Sequence, residues 1–184
     1  MRLYIGLVHY PVYNRNDRII ASAITTLDLH DLSRLARTYD VRRFFVITPL
    51  EDQQMLVQGV RRHWTEGYGA TYNLHRQEAI ELMHVAPSLE LAIKEIAQRE
   101  GENPIVIATD AAKQKDGALS FERARRMIQD NKAVMVIFGT AWGLEKKVIA
   151  LADYVLDPLL GRGTYNHLSV RTAAAIILDR LVGV

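Results

Sequence analysis

The sequence contains no cysteine. That absence excludes structural disulfides, thiolate metal sites, iron–sulfur clusters and cysteine nucleophiles. No apolar run approaches the length needed to span a bilayer. The amino-terminal residues Met1–Gly6 read as a short strand that runs into polar sequence, not as the long apolar core of a secretion signal. A soluble, cytoplasmic protein with no membrane association is the expectation. Linkers, repeats and low-complexity segments are also missing, so residues 1–184 are expected to form one domain. Neither sign of charge dominates: 23 Lys and Arg face 21 Asp and Glu, for a formal net charge of +2. Basic residues nevertheless cluster at Arg42-Arg43, Arg61-Arg62-His63, Arg123-x-Arg125-Arg126 and Lys146-Lys147. A local basic stripe is enough to engage phosphates, and a solvated helix face is the plain alternative for each cluster.

What is present is an alternation of apolar strands and amphipathic helices. Leu3–Val8, Arg43–Thr48, Pro104–Ala108 and Ala133–Phe138 read as strands, and Met83–Ala86 as a short one. Leu29, Leu32, Leu35 and Ala36 recur at helical spacing within Thr25–Tyr39. Pro49 introduces a helix carrying Met55, Leu56 and Val60, and Gly67-Tyr-Gly69 is expected to break it. His75–Met83 reads as a short helix. Ser88 and Ser120 stand where N-caps belong, and Gly101 closes the helix that Ser88 opens. Val134–Leu181 then reads strand, glycine loop (Gly139–Gly143), helix (Leu144–Ala152), strand (Asp153–Pro158), second glycine loop, and a long apolar helix from Ser169. Continuously apolar strands separated by helices indicate an α/β domain, with a mostly parallel sheet covered by helices on both faces. The last helix has little polar surface, so it needs more than one neighbour, and a subunit interface is a candidate for the second. Charge reversal at Arg171 is then expected to weaken a dimer.

Three strand ends carry residues suited to a flat ligand: Ala108-Thr109-Asp110-Ala111, Phe138-Gly-Thr-Ala-Trp-Gly-Leu144, and Leu156 through Ser169. Ligands in parallel α/β sheets bind outside the carboxyl ends of the strands. The usual phosphate motifs fail. No G-x-x-x-x-G-K-[ST] occurs, and Gly161-x-Gly163 meets Asn166 where a third glycine belongs. Histidines show no paired metal spacing, so no metal is expected.

The run FGTAWGL…YVLDPLLGRGTYNHLSVRTAAAIIL resembles the carboxy-terminal motifs of the SPOUT superfamily of S-adenosylmethionine-dependent RNA methyltransferases. His167 departs from the pattern, standing where many ribose-methylating members have asparagine, with Asn166 adjacent. The resemblance implies a carboxy-terminal trefoil knot, a homodimer with the last helix in its interface, and an RNA substrate, tRNA or rRNA. It implies S-adenosylmethionine held by Thr109 and Asp110, by Phe138, Gly139, Thr140, Trp142 and Gly143, and by Leu156, Gly161, Gly163, Tyr165, Leu168, Ser169 and Val170. Without cysteine, methylation through a covalent pyrimidine adduct is excluded, leaving a heteroatom acceptor such as guanine N1 or a ribose 2′-hydroxyl, which needs help with a departing proton. In several SPOUT families an early arginine contacts RNA or the acceptor. Arg15 and Arg18 are the candidates here, with Asp17 as a base and Asn166 facing the acceptor. A non-catalytic RNA- or ligand-binding module on the same scaffold remains the alternative. A doubly wound nucleotide-binding regulator is a weaker one, since the phosphate motifs fail.

Overall fold

The computed structural model describes residues 1–112, 117–163 and 165–184. In chain order it runs β1 (Leu3–Val8), β2 (Val12–Tyr13), β3 (Ile19–Ile20), α1 (Thr26–Thr38), β4 (Arg43–Ile47), α2 (Glu51–Thr65), α3 (Tyr68–Tyr72), α4 (Leu74–Glu81), β5 (Met83–Ala86), α5 (Leu89–Glu100), β6 (Ile105–Ala108), α6 (Phe121–Gln129), β7 (Val134–Gly139), α7 (Lys146–Leu151), β8 (Tyr154–Val155) and α8 (Val170–Val182). A six-stranded sheet has the order β5-β4-β1-β7-β6-β8, and all its pairings are parallel. β2 and β3 form a separate antiparallel pair.

The apolar runs explain the layering. Every residue of β1 is buried, and successive side chains point to opposite faces. Leu3, Ile5 and Leu7 join Val134, Val136 and Phe138 of β7 in a core under α1, α6 and α8. Tyr4 and Val8 join Met135 and Ile137 in a second core under α5 and α7. A strand buried on both sides has no polar face, which is why the runs are continuous and not alternating.

Helix starts follow their caps. Ser88, Ser120 and Ser169 accept hydrogen bonds from the amides of Leu91, Arg123 and Thr172, each worth about 1 kcal/mol. Gly101 ends α5 with φ +75°. Four local readings need correction. The chain after Val8 contains the β2–β3 hairpin, whose two-residue strands are too short to show a period. Helical structure resumes at Tyr68 because Gly69 packs on α2: a Cβ there would lie 2.6 Å from Trp64 Cε3. α7 begins at Lys146, not Leu144, because the Glu145 side chain caps it through the Lys147 amide. The last strand shortens to Tyr154–Val155, with Leu156 bridging Leu119.

α8 buries Ala174, Ile177, Leu178 and Leu181 against α1, α6 and β7, so its apolar excess is met largely within the chain. Arg171, expected at a subunit interface, pairs with this chain's own Asp28 at 3.1 Å and Asp31 at 3.4 Å. These pairs tie α8 to α1 within the chain.

The amino edge of the sheet is locked by charge. Glu100, at the end of α5, accepts from Arg2 Nε at 2.6 Å, Arg42 Nη1 at 2.7 Å and the Tyr4 hydroxyl. Burial opposes ionisation of Glu100, but hydrogen bonds from Tyr4, Arg2 and Arg42 outweigh it and hold its pKa at about 2. On β5, burial, and then the charges of Arg43, Arg61 and Arg99, lower His84 to about 4. Both folded values lie below the ordinary ones of 4.5 and 6.5, so the unfolded chain takes up protons first. Thermal stability is therefore expected to be fullest above about pH 6.5, to fall towards pH 4 as His84 protonates, and to fall again towards pH 2 as Glu100 does. Glu100→Gln should lower Tm at neutral pH and flatten the lower stage; an unchanged profile by calorimetry would count against the lock.

Candidate active site

The loop after β7 is a tight turn joined to the loop after β1. Thr140 donates to the Val8 carbonyl from its amide at 3.3 Å and its hydroxyl at 3.0 Å. The Gly143 amide closes the turn on Thr140 O at 3.0 Å, with Ala141 at φ 52° and Gly143 at φ 101°. Tyr13 N donates to Gly143 O, and Trp142 N to Tyr13 O, each at 3.0 Å. Glu145 N reaches Pro11 O at 3.2 Å. Gly139 makes the approach possible, since a Cβ there would lie 2.7 Å from the Leu144 amide nitrogen and 3.0 Å from the Gly143 carbonyl carbon.

Beneath this junction lies a buried polar chain. His9 follows β1 and is fully buried. Its Nδ1 lies 3.0 Å from Ser22 Oγ, which lies 2.6 Å from Thr140 Oγ1. With Thr140 donating to Val8 O, the order that satisfies each group runs from His9 Nδ1–H to Ser22, to Thr140, to the carbonyl. Burial, partly offset by the Asp28 carboxylate, lowers His9 to about 4, so the ring is neutral at pH 7. Its Nε2 is buried without a protein partner.

The loops after β6 and β8 are tied to each other. Leu119 N donates to Val155 O at 2.7 Å, Asp157 N to Leu119 O at 2.9 Å, and Leu156 N to Ala108 O at 2.9 Å. Thr109 Oγ1 donates to Ile137 O at 3.0 Å. Asn166 Nδ2 donates to Ala111 O at 2.8 Å, pinning the last loop against the first. Among the described residues, no main-chain group from Pro158 to Leu168 is paired with another main-chain group. Unpaired backbone of this kind is open to water or a ligand.

These loops surround the carboxyl ends of the neighbouring strands β7, β6 and β8. A family of S-adenosylmethionine-dependent RNA methyltransferases matches residues 2–183. The chain belongs to that family. It is 45% identical over 181 residues to a tRNA (guanine-N1)-methyltransferase of Oleidesulfovibrio alaskensis, covering 98% of this chain and 42% of the relative. It is 34% identical over 180 residues to an uncharacterized protein of Aquifex aeolicus, covering 97% of this chain and 87% of that one. The chain thus spans about two fifths of the length of the relatives named for guanine methylation, each matched over 42% of its length. TrmJ from Z. mobilis ZM4 superposes with a TM-score of 0.64 at 14% identity, covering 99% of this chain and 68% of that one. The fold, helices around a parallel six-stranded sheet, is shared with SPOUT methyltransferases.

In this methyltransferase family member, the residues expected to hold the cofactor gather at one edge. Thr109 and Asp110 follow β6, Phe138 to Gly143 end β7 and form its turn, and Leu156 to Val170 connect β8 to α8. Phe138 and Leu156 are buried, whereas Trp142 is 66% and Tyr165 76% exposed. Tyr165 stands edge-on to His167, with ring centroids 5.4 Å apart. The residues fit an adenosyl group: unpaired main chain offers donors and acceptors, Leu156, Leu160 and Leu168 offer apolar contact, and no atom comes within 4 Å of where a Gly163 Cβ would be. Surface hollows of about 290 Å³ beside Arg37 and Leu82, and of about 620 Å³ beside Arg62 and His63, lie elsewhere. Hollow size does not select this edge; loop chemistry does.

Arg15, Asp17 and Arg18 sit on the exposed turn of the β2–β3 hairpin. Asn14 shapes it, its Oδ1 accepting from Asn16 N at 2.9 Å and Arg18 N at 3.0 Å. Sequence reasoning gave His9, Ser22 and Thr140 Oγ1 no part in one polar arrangement, because their partners are distant in the chain. The nearest signal was His9 directly after an apolar strand. Among the described residues no group of three or more His, Asp or Glu is placed to hold a metal.

Gly139→Ala is expected to push the Thr140–Leu144 turn off β1 and to destabilise the protein by about 1–3 kcal/mol, the usual range for overpacking. Chemical denaturation checks this, and a wild-type midpoint would contradict the close approach.

Proposed function

We propose that residues 1–184 act as one domain that transfers a methyl group from S-adenosylmethionine to a heteroatom of RNA, with tRNA the first substrate to try. Bound cofactor supplies an electrophilic methyl carbon on a sulfonium, and the protein's task is positioning. The observation that carries this reading is the main chain from Pro158 to Leu168, unpaired with other main chain among the described residues and pinned through Asn166 to the loop after β6, in a chain of this family.

In this reading Phe138, Gly139, Thr140, Trp142 and Gly143 form one wall of the cofactor site. Leu156, Gly161, Gly163, Tyr165, Leu168, Ser169 and Val170 form another, and Thr109 with Asp110 closes the side. Asn166 acts through its bond to Ala111 as a brace between loops. Arg15 and Arg18 orient RNA phosphate, and Asp17 accepts the proton leaving the nucleophile. Support for a role of the hairpin comes from its attachment to the Gly143 turn. Guanine N1 is a reasonable acceptor because two relatives are named for it, although more than half of each lies outside the match. A ribose hydroxyl is the other acceptor. The knotted path belongs to the same reading; the closure of the β6 loop on the β8 loop at Leu119 supports it. A homodimer and a cytoplasmic location complete it.

Calorimetry with S-adenosylmethionine tests the site. Gly163→Val should leave Tm unchanged, because nothing in the protein fills that space, and should weaken cofactor binding at least tenfold. Equal affinities would remove Gly163 from the site. With labelled cofactor and unfractionated tRNA, Arg15→Ala/Arg18→Ala should cut methyl incorporation at least tenfold while cofactor affinity stays within twofold. Incorporation at the wild-type rate would clear the hairpin of a role.

A further inference from the structure

α3 is held against α2 by a missing side chain and an aromatic hub. Gly69 lets it ride on Trp64, where any Cβ would lie 2.6 Å from the ring. The Trp64 ring is fixed by the edges of His30 and His63, at centroid distances of 5.6 and 5.1 Å, and by the Arg76 guanidinium 4.9 Å from its centroid. So seated, α3 turns Tyr68 and Tyr72 outward, one helical turn apart. They are 74% and 71% exposed, and their rings stack on each other at 5.8 Å with an interplanar angle of 25°. Two adjacent, mutually stacked tyrosines left this open leave substantial ring surface unburied.

The flanking sequence carries mostly positive charge. From Arg61 to Arg76 the chain carries three arginines and two histidines against one acid, Glu66. Neither Arg61 nor Arg62 makes an ion pair among the described residues. Arg62 and His63 line an open hollow of about 620 Å³ with Gly59, Glu66 and Gly67. Gly67 stands next to Tyr68 in sequence, so the hollow with its arginine reaches the start of α3; unpaired arginine and stacked, exposed rings together combine phosphate attraction with a base-stacking surface.

α2 links this face to the carboxyl end of β4, with β1 and β7 between that strand and β6. α2 starts at Glu51, just beyond the carboxyl end of β4, and runs back along the sheet for 15 residues. At about 1.5 Å per residue that is about 22 Å, or about six stacked nucleotides at about 3.4 Å each. Met55, 69% exposed, lies along the way.

We propose that the α2–α3 face is a docking platform for single-stranded RNA, with bases stacking on Tyr68 and Tyr72 and phosphates paired with Arg61 and Arg62. The proposal rests on the RNA methyltransferase reading and extends it by giving the substrate a second contact, remote from the reacting atoms.

The test is fluorescence anisotropy with a labelled 12-nucleotide single-stranded RNA, run beside calorimetry with S-adenosylmethionine and methyl incorporation into tRNA. Tyr68→Ala/Tyr72→Ala should weaken RNA binding at least tenfold and leave cofactor affinity within twofold, while Tyr68→Phe/Tyr72→Phe retains binding. Arg61→Ala/Arg62→Ala should reduce the slope of log affinity against log salt by about 1.4, about 0.7 per lost phosphate contact. This arginine pair tests the platform even if the tyrosine pair fails to fold. Variants that bind RNA within twofold of a wild type that binds and methylates overturn the platform alone. A wild type that binds no RNA overturns the platform and the methyltransferase reading together. A tyrosine change that abolishes self-association in sedimentation but spares RNA affinity assigns the face to protein contact and overturns the proposal.

Discussion

Gly139 has no side chain, and the candidate active site depends on that. Its open Cα lets the turn at Thr140–Leu144 fold back within hydrogen-bonding distance of the chain leaving β1. Five main-chain and hydroxyl contacts then join two loops separated by about 130 residues of sequence: Thr140 twice to Val8, Tyr13 to Gly143, Trp142 to Tyr13, and Glu145 to Pro11. The turn includes Ala141 and Gly143 at positive φ, a conformation that is held when surrounding contacts over-determine it. His9, Ser22 and Thr140 add a buried polar chain beneath the junction. Neutral His9 suits that chain, since it donates through Nδ1 without bringing a charge into the core.

The two edges of the sheet are built differently. At the amino edge, Arg2, Tyr4, Arg42 and Glu100 tie β1, β4 and α5 with charged hydrogen bonds. At the carboxyl edge, no described residue from Pro158 to Leu168 pairs its main chain with another main-chain group. Rigidity below and open backbone above suit a scaffold that must offer amides to a flat ligand without moving the strands that carry them. α8 closes the arrangement from the side, with Arg171 reaching Asp28 on α1.

Much of this was legible in the sequence where the physics is local. The runs LYIGLV, RFFVI and VMVIF announced strands covered on both faces, and Ser88 and Ser120 announced their helices. The glycines of FGTAWGL marked the β7 turn, and the motif order pointed to the family that the comparisons bear out. Strand order was not legible, because an apolar run says nothing about which neighbour it pairs with. The β2–β3 hairpin was missed because two residues cannot display a period. The break of α2 before Gly67 was legible, but the close packing of Gly69 on Trp64 was not. The tie of Arg171 to Asp28 and Asp31 was not legible because those acids lie about 140 residues earlier, on α1. The bond from the Asn166 amide to Ala111 O was not legible either, 55 residues apart in the chain. Each of these misses involves a contact between residues that local spacing does not connect.

The most direct test of the central claim is amide chemical-shift mapping as S-adenosylmethionine is added to the isotopically labelled protein. The account predicts that the perturbed amides fall after β6, β7 and β8, at Asp110–Ala112, Gly139–Leu144 and Leu156–Ser169, with the Arg2–Glu100 edge silent. Saturable shifts confined to any other part of the sheet, or no shifts at millimolar cofactor, would contradict it.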